Sequence, residues 1–156
     1  MSDHLSQATV HFTTRSLPDL EAKITFGGDL RPGSPAGGPG PATGAAFLAQ
    51  LYGGAPGGAL RPLGLPLNFR EGPGAGFVMP SGDVVRYVTD VPASGSAQVQ
   101  IKAWAACLGS SFEEAQAKGV GGTGESFPAV VRTGGGISPP LVPVGLMGFE
   151  ISAIRG

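Results

Sequence analysis

Few side chains here are of a type and spacing that could carry chemistry. The two histidines, His4 and His11, stand seven residues apart, and no His-x-His, Cys-x-x-Cys or His-Glu-x-x-His pattern occurs. A transition metal therefore has no ligand set to stand on. His11 falls on the polar side of an alternating segment and reads as a surface residue, not a base. Gly119-Val120-Gly121-Gly122-Thr123-Gly124 matches Gly-x-Gly-x-x-Gly. A dinucleotide fingerprint follows a strand and opens a helix, whereas this one follows a helical signature and leads into a strand, so it reads as a loop. No Gly-Lys-Ser/Thr completes a phosphate loop. Gly124-Glu125-Ser126-Phe127-Pro128 lacks the closing glycine of a nucleophile elbow. The 11 acids are scattered, without the Asp/Asn alternation of a calcium loop and without a marked pair for glycoside chemistry. The sequence thus predicts no enzyme, no cofactor and no metal.

Trp104, Tyr52 and Tyr87 are the other chemical candidates, because flat aromatic faces can stack on sugar rings. Aromatic residues make up only 7% of the chain, and each of the three lies in an expected strand, where packing is the commoner use. The single cysteine, Cys107, cannot close an internal disulfide and reads as a small buried hydrophobe.

The elements that must position these residues are dictated by composition. Gly 28 and Pro 15 together exceed a quarter of 156 residues, a share that often marks low complexity, yet 41% hydrophobic content is too apolar for a chain that stays solvated. Short apolar strands joined by Gly/Pro turns reconcile the two. Charged residues are only 13%, about half the usual share, and the net charge is -1, so little repulsion keeps copies apart. The basic residues form no stripe, which argues against nucleic acid and anionic lipid as partners. No apolar run approaches the roughly 20 residues of a membrane-spanning helix. The opening residues show neither the basic nor the apolar region of a signal peptide.

Alternation with a period of two marks strands at 8–14 and 97–104, where Val99, Ile101 and Ala103 face one way and Gln98, Gln100 and Lys102 the other. Further strands are expected at 22–26, 45–52, 77–79, 83–89, 126–132 and 146–154. The segment 63–69 is an edge strand or extended piece, because Pro66 lies within it. Pro80-Ser81-Gly82 reads as a turn pairing 77–79 with 83–89. The Gly/Pro-rich stretch 27–44 is a covering loop. One short helix is expected at 111–118: Ser111 can cap it, Glu114 can reach back, and Gly119 suits a left-handed stop. The predicted fold is all-β, a two-sheet antiparallel sandwich of immunoglobulin-like or jelly-roll-like type spanning 8–156, with residues 1–7 as a flexible or donated leader.

The order of segments carries a resemblance. Phe47-Leu48-Ala49-Gln50-Leu51-Tyr52-Gly53-Gly54, Leu65-Pro66-Leu67-Asn68-Phe69-Arg70-Glu71-Gly72, Ala97 to Trp104, Ser111-Phe112-Glu113-Glu114-Ala115 and Pro139-Pro140-Leu141-Val142-Pro143-Val144 resemble, in that succession, exported bacterial proteins of the type sorted by a C-terminal PEP-CTERM tail. The resemblance spans roughly residues 8–152 and implies export and a surface or extracellular location. It brings no catalytic residues with it. Ile151 to Gly156 contain no Pro-Glu-Pro motif, apolar span or basic tail.

Low charge, covering loops and missing chemistry, with the extracellular setting that the resemblance implies, point to a structural, self-associating subunit of an extracellular filament, sheath or matrix, whose partner is further copies of itself. A carbohydrate-binding or adhesive module, with polysaccharide as partner, is the alternative. In the first reading 8–14 or 146–154 pairs across subunits, which makes Val10, Phe12, Leu146, Phe149 and Ile151 the expected contact residues and lays the 27–44 loop on the contact.

Overall fold

A computed structural model of the protein describes residues 7–30, 39–80 and 84–155. The strands in chain order are β1 (Gln7–His11), β2 (Arg15–Ser16), β3 (Leu20–Glu21), β4 (Ile24–Phe26), β5 (Gly40–Pro41), β6 (Phe47–Gly54), β7 (Arg61–Pro62), β8 (Val85–Pro92), β9 (Ser96–Ala105), β10 (Thr123–Glu125), β11 (Ala129–Arg132) and β12 (Phe149–Ile151). One α-helix, α1 (Phe112–Ala117), stands between β9 and β10. The fold is all-β and sandwich-like, as the alternation requires.

Its largest sheet runs β10-β9-β6-β7, with β11 continuing beyond β10 on the same edge of β9. β6 and β9 pair antiparallel over eight residues, setting Leu51 beside Ile101 and Ala49 beside Ala103. Val99, Ile101 and Ala103 are fully buried on the inner face, as the period of two demands. Against that face pack β8, paired antiparallel with β1, and the small sheet β12-β4-β5, in which β12 runs parallel to β4. The second layer is thus several short pieces, one of them parallel, and not one antiparallel sheet. Phe47 joins the layers, its ring centroid 4.7 Å from that of Phe26 and 6.4 Å from that of Phe69.

The gap between β10 and β11 is mended by side chains. Pro128 has no amide hydrogen to give, and here Ser126 Oγ accepts the Ile101 amide at 2.9 Å while Gln100 Nε2 donates to the Ser126 carbonyl at 2.8 Å and the Glu125 carboxylate at 2.9 Å. Gln100 is consequently buried, unlike the exposed residue that simple alternation predicts. Two other expectations change. Val78 bridges Phe69 and β8 pairs with β1, so 77–79 and 83–89 are not partners; most of the turn assigned to join them lies outside the described residues. Residues 146–154 supply only a three-residue strand.

The helix forms where its caps place it. Ser111 Oγ accepts the Glu114 amide at 3.1 Å, Glu114 Oε1 accepts the Ser110 amide at 2.9 Å, and Gly119 takes the left-handed conformation at φ 70°.

Candidate functional site

The terminal strands do not present the contact residues that sequence alone assigns them. Val10, Phe12 and Ile151 are fully buried in the chain's own core, Leu146 is buried, and Phe149 is half-buried. Both edges of β1 are occupied within the chain. On one side lies β8; on the other, Thr9 exchanges amide hydrogen bonds with Gly134 at 3.1 and 2.9 Å, and the His11 amide reaches Leu141 at 2.9 Å. Phe12 also carries the Arg86 guanidinium 5.3 Å above its ring. β12 is likewise held between β4 and the glycine loop, where Gly122 donates to Ser152 at 3.0 Å and Ser152 to Thr123 at 2.9 Å. A strand whose hydrogen-bonding groups are spent inside the fold has none left to donate to a neighbour. Most of the leader and residues 31–38 of the covering loop lie outside the described residues.

The same loop explains the Gly-x-Gly-x-x-Gly match. A Cβ on Gly121 or Gly124 would collide with the carbonyl of Ala153 or Glu150, and Gly121 and Gly122 have φ of 83° and 76°. These glycines let backbone approach backbone, not phosphate. Ser126 is buried, its hydroxyl oxygen accepting the Ile101 amide.

The sugar-stacking trio is dispersed. Tyr52 and Trp104 share the outer face of the β6–β9 pair, but α1 and its leading turn cover that face, leaving Trp104 fully buried and Tyr52 nearly so. Trp104 Nε1 donates to the Gly109 carbonyl at 2.9 Å. The Tyr52 hydroxyl donates to Glu113 Oε2 at 2.6 Å, and Lys102 Nζ lies 4.5 Å from the Tyr52 ring centroid and 5.0 Å from that of Phe112. Burial, then the Glu113 carboxylate, pushes the Tyr52 hydroxyl well above its ordinary value; the hydrogen bond from Tyr52 pulls Glu113 down. The Tyr52–Glu113 hydrogen bond clasps α1 to β6. Tyr87 alone stays half-exposed, lining a shallow cleft with Thr9, Ser138 and Pro140. Cys107 is exposed, contrary to the reading of it as buried, because its short turn directs it outward from the sheet's end. Among the described residues, no group of three or more His, Cys, Asp or Glu is placed to hold a metal.

The surface feature that sequence reasoning missed lies between 127 and 147. Phe127, Val130, Ile137, Leu141, Val144 and Met147 are all exposed, and Arg132 is the only charged residue in that stretch. β11 runs out from the large sheet and the chain turns at Gly135 and Ser138, which exchange amide hydrogen bonds at 3.0 and 2.9 Å. The chain then returns through 141–144. Between the outgoing and returning legs is an open groove of about 440 Å³, lined by Val130, Val131, Leu141, Val142 and Val144 with Asp19 and Arg132. β11 pairs only with β9 among the described strands, so its other side faces this groove. The sequence marks 126–132 as a strand, but nothing in it says that Val130 points away from the core.

Comparison with known protein families, with curated proteins and with solved structures finds no match to this chain. No helix among the described residues is long and apolar enough to cross a membrane.

Proposed function

We propose that this protein is a structural, self-associating β-domain that serves as a subunit of an extracellular filament, sheath or matrix. The observation that carries the reading is the apolar surface at 127–147: a groove with exposed Val130, Leu141 and Val144 in its lining, on a stretch with one charge that also exposes Phe127, Ile137 and Met147. Contiguous apolar surface of this kind marks an interaction site in a folded domain. A chain with 13% charged residues has few gatekeepers against meeting its own copies. The extracellular setting rests on the resemblance to exported proteins. The association surface differs from the terminal strands that sequence alone singled out, since those strands are spent within the fold.

The carbohydrate-binding alternative is left with Tyr87 of its three rings, because stacking needs an open ring face and Trp104 and Tyr52 are buried.

The test is a size distribution of the full chain and of Val130→Lys by light scattering and negative-stain imaging. Val130 is 60% exposed, so the substitution leaves the fold intact. The expected result is large species from the native chain and their loss in the variant. Equal assembly by both would show that this surface is not the contact.

A further inference from the structure

Away from the apolar groove, a pocket of about 280 Å³ opens between the turn that follows β1 and the segment 70–78, with Thr13, Arg15, Arg70 and Gly74 in its lining. Two bases line it and, among the described residues, no acid does. Like charges gathered at one concavity repel each other and raise its potential, and a bound anion relieves both. We propose that this pocket binds a dianionic phosphate group, held by the guanidiniums of Arg15 and Arg70. The pocket shares no lining residue with the apolar groove, and its occupancy does not depend on self-association.

Each base is set by contacts of its own. Thr13 Oγ1 donates to the Arg15 carbonyl at 3.1 Å and accepts the Arg15 amide at 3.3 Å, which fixes the backbone from which Arg15 leaves. The Arg15 guanidinium lies over the Phe77 ring, 5.1 Å from its centroid. Stacking of this kind occupies the flat face of a guanidinium and leaves its N–H edge for an oxyanion. The Arg70 amide donates to the Phe77 carbonyl at 2.9 Å, so the residue that carries Arg15 is also the backbone partner of Arg70. The Arg70 stem rests against Gly74, where a Cβ would stand 2.8 Å from Arg70 Cδ and 3.0 Å from its Cβ. The two walls are tied together by the Val78 amide, which donates to the buried Thr14 Oγ1 at 3.1 Å.

The neighbouring acids are turned elsewhere or stand outside the lining. Glu71, next to Arg70, has its carboxylate at Gly44, where a Cβ would meet Oε2 at 2.7 Å. Glu21 is opposite Arg15 on β3 and does not line the pocket. Two guanidiniums bring two positive charges. Above its second pKa of about 6 a phosphate group carries close to two negative ones, on oxygens that accept the paired N–H donors of arginine. A carboxylate has one charge and would leave the second guanidinium uncompensated.

The test is isothermal titration calorimetry of the full chain in a phosphate-free buffer of low ionic strength at about pH 8, where phosphate is the dianion. The probes are inorganic phosphate, glucose 6-phosphate, glucose and acetate. One phosphate should bind per chain, acetate should bind about tenfold more weakly or less, and glucose should give no signal. Arg15→Gln and Arg70→Gln should each weaken phosphate by about tenfold or more, because each removes charge-assisted hydrogen bonds. Both side chains are exposed, and circular dichroism checks that each variant is folded. Gly74→Ala keeps both charges but displaces the Arg70 stem, and should weaken phosphate by about threefold or more. Phosphate affinity should also fall as sodium chloride is added, since exposed charges are screened. Glucose 6-phosphate binding tighter than inorganic phosphate would support a phosphate borne on an organic molecule, and equal or weaker binding would support the free ion. A folded native chain that gives no saturable phosphate binding, arginine variants that bind as tightly as the native chain, or acetate that matches phosphate would each overturn the proposal.

Discussion

Replacing Trp104 with alanine separates the core role of this residue from a binding role. Trp104 is the only tryptophan, is fully buried on the outer face of β9, and donates to Gly109 in the turn that leads to α1. A tryptophan buries roughly 150–250 Å², which at about 25 cal/mol per Å² is about 4–6 kcal/mol. Measured large-to-small core changes of this size cost about 3–5 kcal/mol. Removing the indole also leaves the Gly109 carbonyl without its donor, which keeps the cost from falling below that range. For a domain of this length each kcal/mol moves the melting midpoint by roughly 2–4 °C, so Trp104→Ala should melt at least about 6 °C lower. The assay is thermal melting followed by far-ultraviolet circular dichroism. In the native chain, tryptophan emission should be blue-shifted and protected from iodide quenching, then shift to the red on unfolding. An unchanged midpoint with a water-exposed emission spectrum would refute the reasoning and return Trp104 to the surface.

Tyr52→Phe removes the hydrogen bond to Glu113 and should cost about 1 kcal/mol, below the range for a buried charged acceptor because Glu113 itself is exposed. The lowered Glu113 carboxyl means this stabilisation is present above the ordinary carboxylate range and lost as pH falls through the folded value; the raised Tyr52 hydroxyl means stability also declines as pH rises above about 10. Denaturant titrations at acid, neutral and alkaline pH should show both slopes flattened in the variant. Ile101→Ala should destabilise by about 2–5 kcal/mol, since the side chain is fully buried between β6 and the second layer; an unchanged urea midpoint would count against that placement. Gly124→Ala should also destabilise, by about 1–3 kcal/mol, because the new Cβ meets the Glu150 carbonyl; nucleotide titration against the native chain should give no binding signal from the same loop.

The strands carried by strict alternation are legible in the sequence. Val99, Ile101 and Ala103 lie inward and the Ser111 cap starts the helix, because both follow from interactions within a few residues. What local pattern does not supply is pairing. The partner of β8 is β1, over 70 residues away in sequence, and the edge of β1 that alternation leaves open is closed by Gly134 and Leu141. Exposure at Trp104, Gln100 and Val130 fails to follow for the same reason. The period of two says which side of a strand a residue is on, but a helix laid over the outer face buries Trp104, and a leg of chain that stays apart from β11 leaves Val130 open. The candidate surface at 127–147 is therefore a property of tertiary placement, visible in the sequence only as a long apolar stretch with a single charge.

The central claim, that this domain meets its own copies through exposed apolar surface, is tested most directly by sedimentation equilibrium of the native full chain across a wide concentration range. The account predicts a weight-average mass that climbs above the 15.5 kDa of one chain as concentration rises. A mass that stays at one chain from the lowest to the highest concentration would contradict it.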